Sequence, residues 1–231
     1  MSLLESAIGL LSPPQCVGCG LEGAALCKTC AASEILPFGE RCWRCNSLSP
    51  GCRTCHKCRL PGSPSFVWIN TDHEGLVREL ISLYKFGHQR VAAEPIAQLM
   101  ADNFWRFNSA EEARAKDYLV VAIPTATSRR RARGFGHSEL LARKIALKLR
   151  LERANTLRRL GQTRQLGSKR EDRLTQLQGS FAVKNHHQVY GRNILLVDDV
   201  ITTGGTIMTA TKALRSAGAA QVNALLFSKR L

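Results

Sequence analysis

The chain has 231 residues, 44% hydrophobic and 22% charged, and a formal net charge of +15. That length supports one sizeable core with a small satellite. The lack of any apolar run near the ~20 residues of a membrane helix argues against membrane insertion.

The excess charge is concentrated. Residues 128–173 carry 15 Lys/Arg against 4 Asp/Glu, a net +11, while residues 65–127 are net −2. Such a block attracts polyanions, whether phosphates, diphosphates or nucleic acid. A merely solubilising face would spread its charge more evenly.

Met1 to Pro14 reads as a short lead-in helix. It has neither the cationic start nor the cleavage pattern of a secretory signal, so a cytoplasmic location is expected. All nine cysteines then fall between Cys16 and Cys58. They form the CxxC pairs Cys16/Cys19, Cys27/Cys30 and Cys42/Cys45, with either Cys52/Cys55 or Cys55/Cys58 as the fourth. A CxxC knuckle aims two thiolates at one ion, and two knuckles complete a tetrahedron. The expectation is two structural Zn²⁺ ions. Cys16, Cys19, Cys27 and Cys30 would hold the first; Cys42, Cys45, Cys55 and Cys58 would hold the second, leaving Cys52 spare. Disulfides fit poorly with a cytoplasmic chain, and a redox CxxC would need only one pair. His56 lies among these cysteines and reads as an exposed loop residue. So short a segment buries little, and metal would supply its folding energy.

Pro61-Gly-Ser-Pro64 is a turn-rich link, dividing the chain into 1–60 and 61–231. Phe66 to Ile69 predicts a short strand. Glu74 to Phe86 and Val91 to Phe107 predict amphipathic helices, the second with Pro95 near its start. Tyr118 to Pro124 predicts a buried strand followed by a loop. Ser138 to Leu149 predicts a helix, with Ser138 as its N-cap. Asn193 to Val197 is a fully apolar strand, Thr206 to Ala217 a helix stopped by Gly218, and Val222 to Phe227 a last strand. Alternating strands and helices with continuously apolar strands imply an α/β fold: a mostly parallel sheet with helices on both faces. No internal repeat or low-complexity tract is evident along this second part.

The strand at Ile194 ends in Asp198 and Asp199, followed by Thr202-Thr-Gly-Gly-Thr206. Ligands in such sheets bind beyond the carboxyl ends of the strands. Two carboxylates there can accept hydrogen bonds from two ribose hydroxyls. Gly204 and Gly205 let the backbone approach an anion. Thr202, Thr203 and Thr206 add hydroxyl donors, and the next helix presents its first amides. The loop lacks the Lys of a Walker motif and is not GxGxxG. A purely structural strand–turn–helix would not explain paired acids at the end of a buried strand, which are costly without a ligand or metal. The stretch reads as a site for a phosphorylated ribose.

Val197-Asp-Asp-Val-Ile-Thr-Thr-Gly-Gly-Thr206 resembles the binding motif of type I phosphoribosyltransferases. With the CxxC array, nearly the whole chain resembles the ComF/GntX family of competence-related proteins, which join a double zinc ribbon to a phosphoribosyltransferase-like domain. The resemblance includes Leu83-Tyr-Lys-Phe86, Ile123-Pro124, Arg133-Gly-Phe-Gly-His-Ser-Glu-Leu140, Thr163-Arg-Gln165, and Arg173 leading to Gly179-Ser-Phe181. Gly136 and His137 depart from the family's frequent Asn-Gln, and Gln176 from an Asn. The resemblance implies phosphoribosyl pyrophosphate with Mg²⁺ as ligand. Arg129, Arg130, Arg131 and Arg133 would grip the diphosphate, since guanidinium forks match phosphate oxygens in pairs. Lys85 would assist them, and Thr163 to Arg173 would close over the site. His137 could protonate a leaving diphosphate; as a lone His at a helix start it reads better as packing.

Two functions follow from that resemblance. One is a binding protein that senses the ribose phosphate and grips single-stranded DNA, supporting DNA uptake in natural transformation. Aromatic residues make up only 6%, which argues against a long base-stacking platform. The other is an active phosphoribosyltransferase of nucleobase or nucleotide metabolism that releases diphosphate; no general base stands out. An adaptor that has lost its ligand is weighed against by the intact acids and loop.

Overall fold

A computed structural model describes residues 13–86, 89–125, 135–160 and 181–230. The lead-in segment up to residue 12 lies outside them. Among the described residues, five strands form one sheet of order β1-β7-β6-β2-β3. These are β1 Val67–Asp72, β2 Tyr118–Ala122, β3 Glu152–Ala154, β6 Asn193–Ile201 and β7 Gln221–Lys229. Every neighbouring pair runs parallel. Two further strands, β4 Leu157–Arg159 and β5 Phe181–Val183, pair antiparallel beside it. The expected mostly parallel sheet is present.

The crossovers explain where a ligand can sit. The chain leaves β2 toward β3 on one side and leaves β6 toward β7 on the other. Adjacent strands whose connections part in opposite directions leave a crevice at their carboxyl ends. Here it opens between β2 and β6.

Successive strand residues point to opposite faces, and the sheet splits into two cores accordingly. On one face, Trp68, Val120, Leu195, Val197, Leu225 and Phe227 pack into a single cluster. Helices α2 Gly75–Phe86, α3 Ala93–Trp105 and α5 His137–Leu149 cover it. On the other face, Ile69, Val121, Ile194, Leu196 and Leu226 pack under α6 Gly205–Ser216. Burial on both faces is why these strands are continuously apolar. Two short helices complete the set: α1 Lys28–Glu34 in the cysteine-rich segment, and α4 Ala110–Ala115. The latter opens on a Ser109/Glu112 capping box.

The cysteine-rich segment joins both cores. Cys16, Ala25, Leu26 and Ile35 belong to the first cluster. Phe38, Cys42, Trp43 and Cys58 belong to the second. Between them the chain crosses the β1 edge, where Phe38 N–H donates to the Asn70 carbonyl (2.9 Å). That contact covers an edge otherwise open to pairing with another chain. The segment also repeats itself. Gln15 bridges Glu22, and Arg41 bridges Leu48 26 residues later. Each turn closes on a left-handed residue, Gly20 (φ 73°) or Asn46 (φ 61°).

Several boundaries differ from the sequence expectation. The strand predicted to stop at Val197 runs on to Ile201, because β7 pairs with it through Asp198 and Val200 to Ile201. Helix α5 begins at His137 with Gly136 as N-cap, so Ser138 is not the cap. The short strands β3, β4 and β5 and helix α4 carry too little periodicity to be read in sequence. No helix among the described residues is long and apolar enough to cross a membrane.

Trp68 is 3% exposed and sits edge-on to Phe104 at 5.5 Å. Trp68→Ala should cost about 3–5 kcal/mol in urea unfolding. Leu147→Ala, at a site 73% exposed on α5, should change stability by less than about 0.5 kcal/mol.

Candidate functional site

The site is assembled by a lock between α2 and α5. Tyr84 O–H donates to the His137 carbonyl (2.7 Å), and His137 Nε2 lies 3.1 Å from the Tyr84 carbonyl. The two rings meet edge-on at 4.8 Å, and Phe135 packs against both. His137 is only 1% exposed, a packing residue. Gly136 leaves room for Glu139, whose carboxylate would lie 2.0 Å from any Cβ there. This is a local reason for glycine at that departure from the family pattern.

Each locked residue carries a neighbour to the acids at the end of β6. Lys85 Nζ lies 2.8 Å from Asp199 Oδ1. Ser138 Oγ donates to Asp198 Oδ1 (2.7 Å), which also accepts from the Asp199 amide (2.9 Å). Asp199 is 6% exposed. Asp198 is half-buried. Burial, then the charge of Asp199, push the Asp198 carboxyl up to about 7. An ionised, adjacent pair is therefore short of compensating positive charge and donors.

Thr202 to Gly204 turn the chain into α6. Gly204 adopts φ 77°, a left-handed conformation suited to glycine, and offers no side chain to cap the helix. Thr202, Thr203, Gly204, Gly205 and Thr206 line a recess of about 60 Å³ at the start of α6. A helix N-terminus with uncapped amides favours an anion. The recess adjoins a larger open cleft of about 700 Å³, floored by Asp198 and Asp199. Lys85, Ser138 and Pro124 line it, and beyond them His73, Arg78 and Arg230.

Of the expected site residues, the fold thus brings together Lys85, Asp198, Asp199 and Thr202 to Thr206. Arg129, Arg130, Arg131, Arg133, the segment Thr163–Arg173 and Gln176 lie outside the described residues. Sequence reasoning missed Ser138 as the donor to Asp198, because a serine before a helical pattern reads as a cap. It also missed His73 and Arg230. His73 Nδ1 lies 3.0 Å from Ser228 Oγ, and burial, then Lys85 and Arg230, lower its pKa. These residues follow β1 and end β7, which are neighbours only in the sheet.

The cysteines meet as expected. Among the described residues, two groups have all four Sγ atoms within 4.8 Å of one another: Cys16, Cys19, Cys27, Cys30 and Cys42, Cys45, Cys55, Cys58. Tetrahedral Zn–S bonds of ~2.3 Å set sulfur–sulfur edges of about 3.8 Å. Cys19 and Cys27 are 3.8 Å apart, and Cys45 and Cys55 3.6 Å. Disulfide sulfurs would lie at ~2.0 Å. Two Zn²⁺ ions fit, one in each group, with no open coordination position. His56 is exposed and outside both groups. Cys52 is buried, and burial, then Glu40, push its thiol up to about 11. It stays protonated and unreactive.

Chelation under reducing conditions should therefore release close to two zinc ions per chain, and from Cys52→Ser equally two, by metal analysis. A pH dependence follows from Asp198. The folded state holds its proton more tightly than the unfolded chain, whose value is near 3.8. The stability this contributes is present below about pH 4 and lost as pH rises through about 7. Asp198→Asn should raise the melting temperature relative to wild type more at pH 8 than at pH 5.

The phosphoribosyl transferase domain family matches residues 132–230. The chain is 30% identical over 204 residues to "Competence protein ComFC" of Bacillus subtilis, covering 84% of this chain and 80% of that protein. It is 29% identical over 205 residues to the protein of the same name from Streptococcus pneumoniae, covering 87% and 86%. It is 26% identical over 216 residues to "DNA utilization protein YhgH" of Escherichia coli, covering 85% and 93%. Two four-cysteine groups, a parallel sheet ending in Asp198-Asp199, and similarity over most of the length agree: this chain belongs to the ComF family of competence proteins, with a phosphoribosyltransferase-like domain behind a zinc-ribbon module.

Proposed function

We propose that the chain binds phosphoribosyl pyrophosphate with Mg²⁺ and acts on single-stranded DNA in the cytoplasm during natural transformation. The observation that carries the ligand is the adjacency of Asp198 and Asp199 to an anion recess at the start of α6. Ribose hydroxyls donate to the two carboxylates, and the 5′-phosphate takes the amides and hydroxyls of Thr202 to Thr206. Lys85 shifts between Asp199 and the diphosphate, with Arg129, Arg130, Arg131 and Arg133 as further partners. Mg²⁺ bound with the diphosphate would neutralise part of its charge, beside the carboxylates of Asp198 and Asp199. Residues 1–60 then act as the metal-held module and 61–231 as the ligand-binding domain.

The DNA reading draws on the relatives' printed names and on charge. Arg41, Arg44, Arg53, Lys57 and Arg59 are all exposed on the second zinc half, adding to the net +11 of residues 128–173. Backbone contacts of this kind make affinity fall steeply with salt.

A second reading, an active phosphoribosyltransferase, is favoured by the cleft itself. It continues past the acids to His73, Arg78 and Arg230, which is room for an acceptor. Burial, then Lys85 and Arg230, lower the His73 pKa, which favours the neutral imidazole that proton acceptance from an attacking nucleophile needs.

Calorimetry of phosphoribosyl pyrophosphate with Mg²⁺ should give saturable heat for wild type and none for Asp198→Ala/Asp199→Ala; equal heat in both removes the site. Release of diphosphate on adding a nucleobase or DNA would favour the transferase. Charge removal across Arg129 to Arg133 should weaken single-stranded DNA binding and flatten its salt dependence.

A further inference from the structure

The second four-cysteine group reaches the phosphate loop through one side chain. Trp43 stands between Cys42 and Cys45 and is 2% exposed. A Cβ added to Gly204 would lie 2.1 Å from Trp43 Cζ3 and 2.8 Å from Cη2. The indole therefore rests on the backbone of the loop itself, at the residue whose φ of 77° turns it into α6. The indole is fixed from both halves of the metal group. Its covalent neighbours are the first knuckle. Its Nε1–H donates to Thr54 Oγ1 (3.0 Å), which in turn donates to the Pro64 carbonyl (2.6 Å). Thr54 immediately precedes Cys55, the first ligand of the second pair.

A second connection runs beside it. Asn46, which closes the knuckle turn after Cys45, accepts a hydrogen bond from Lys229 Nζ. That ammonium also lies 5.5 Å from the centre of the Phe38 ring. The next residue, Arg230, donates its N–H to the Ile201 carbonyl (2.9 Å), at the start of the loop. The first four-cysteine group has no counterpart among these contacts. It packs on the opposite core, with Gly18 facing Leu76 of α2.

We infer that Trp43 is a positioning residue, through which metal in the Cys42/Cys45/Cys55/Cys58 group holds the Thr202–Thr206 loop in its anion-binding shape. Occupancy of that metal group and of the loop are then linked, and linkage is reciprocal: a bound ribose phosphate tightens metal binding at equilibrium in this group and not in the other. The ligand's identity rests on the reading above; the hold of Trp43 on the loop does not.

The test uses the full chain with both zinc ions bound, as wild type, Trp43→Ala and Trp43→Phe. Amide hydrogen exchange across residues 202–206, without ligand, should quicken in Trp43→Ala while metal content stays at two. The Phe variant should lie between. Affinity for phosphoribosyl pyrophosphate with Mg²⁺ should fall roughly 5–150-fold in Trp43→Ala. With chelator present, pulse alkylation read by mass spectrometry should show that ligand protects Cys42, Cys45, Cys55 and Cys58 but not Cys16, Cys19, Cys27 and Cys30. That selective protection should vanish in Trp43→Ala, a response that a tryptophan serving stability alone would not give. Unchanged loop exchange in both variants overturns the proposal. So does equal ligand protection of the two cysteine groups. Loosened loop amides in a protein whose wild type binds no phosphoribosyl pyrophosphate would uphold the role of Trp43 and sink the ligand assignment instead.

Discussion

Two adjacent carboxylates at the buried end of a central strand cannot stand alone. Each must find a donor or a cation, and elements distant in sequence have to supply them. Lys85 reaches Asp199 from α2 and Ser138 reaches Asp198 from α5. Their chain neighbours Tyr84 and His137 join α2 to α5 by two hydrogen bonds. Breaking a buried ion pair from one side costs about 3–5 kcal/mol, so the Lys85–Asp199 contact is structural in its own right. The contacts to the two acids are also incomplete. Asp198 remains raised to about 7, which leaves an electrostatic demand that hydroxyl donors or a cation would meet. The demand at this site is therefore one of charge rather than of backbone conformation.

The cysteine-rich segment has a matching logic. A chain piece of this size cannot build its own core, so it borrows one from each face of the sheet. Two similar knuckles therefore end in different surroundings. The first braces α2, which carries Lys85. The second places Trp43 against Gly204 in the Thr202–Thr206 loop. The two four-cysteine groups thus pack on opposite faces of the sheet.

Legibility in the sequence followed the range of the interactions. Strands β2, β6 and β7 each contain a continuous or nearly continuous apolar run, so burial on both faces announced them. CxxC spacing identified seven of the eight thiolates because a knuckle is a local object, and the Asp-Asp and Thr-Thr-Gly-Gly run was legible because it is contiguous. The fourth pair stayed open between Cys52 and Cys58, since both spacings are equal along the chain. Only the fold decided it, burying Cys52 against the Gly39 carbonyl and sending Cys58 to the metal group. Ser138 was misread as a cap because its partner lies 60 residues away.

Sequence alone determined the local patterns: two sets of zinc-type ligands, a Thr-Thr-Gly-Gly loop after paired acids, and an alternating α/β chain to carry them. Each depends on residues a few positions apart, where covalent geometry limits the options. Tertiary structure decided which side chains serve the acids and which metal group touches the loop. It also decided that the cleft runs on to His73 and Arg230 at the ends of β1 and β7. These are contacts between strands and helices joined only through the sheet order, and no local pattern in a single chain encodes that order.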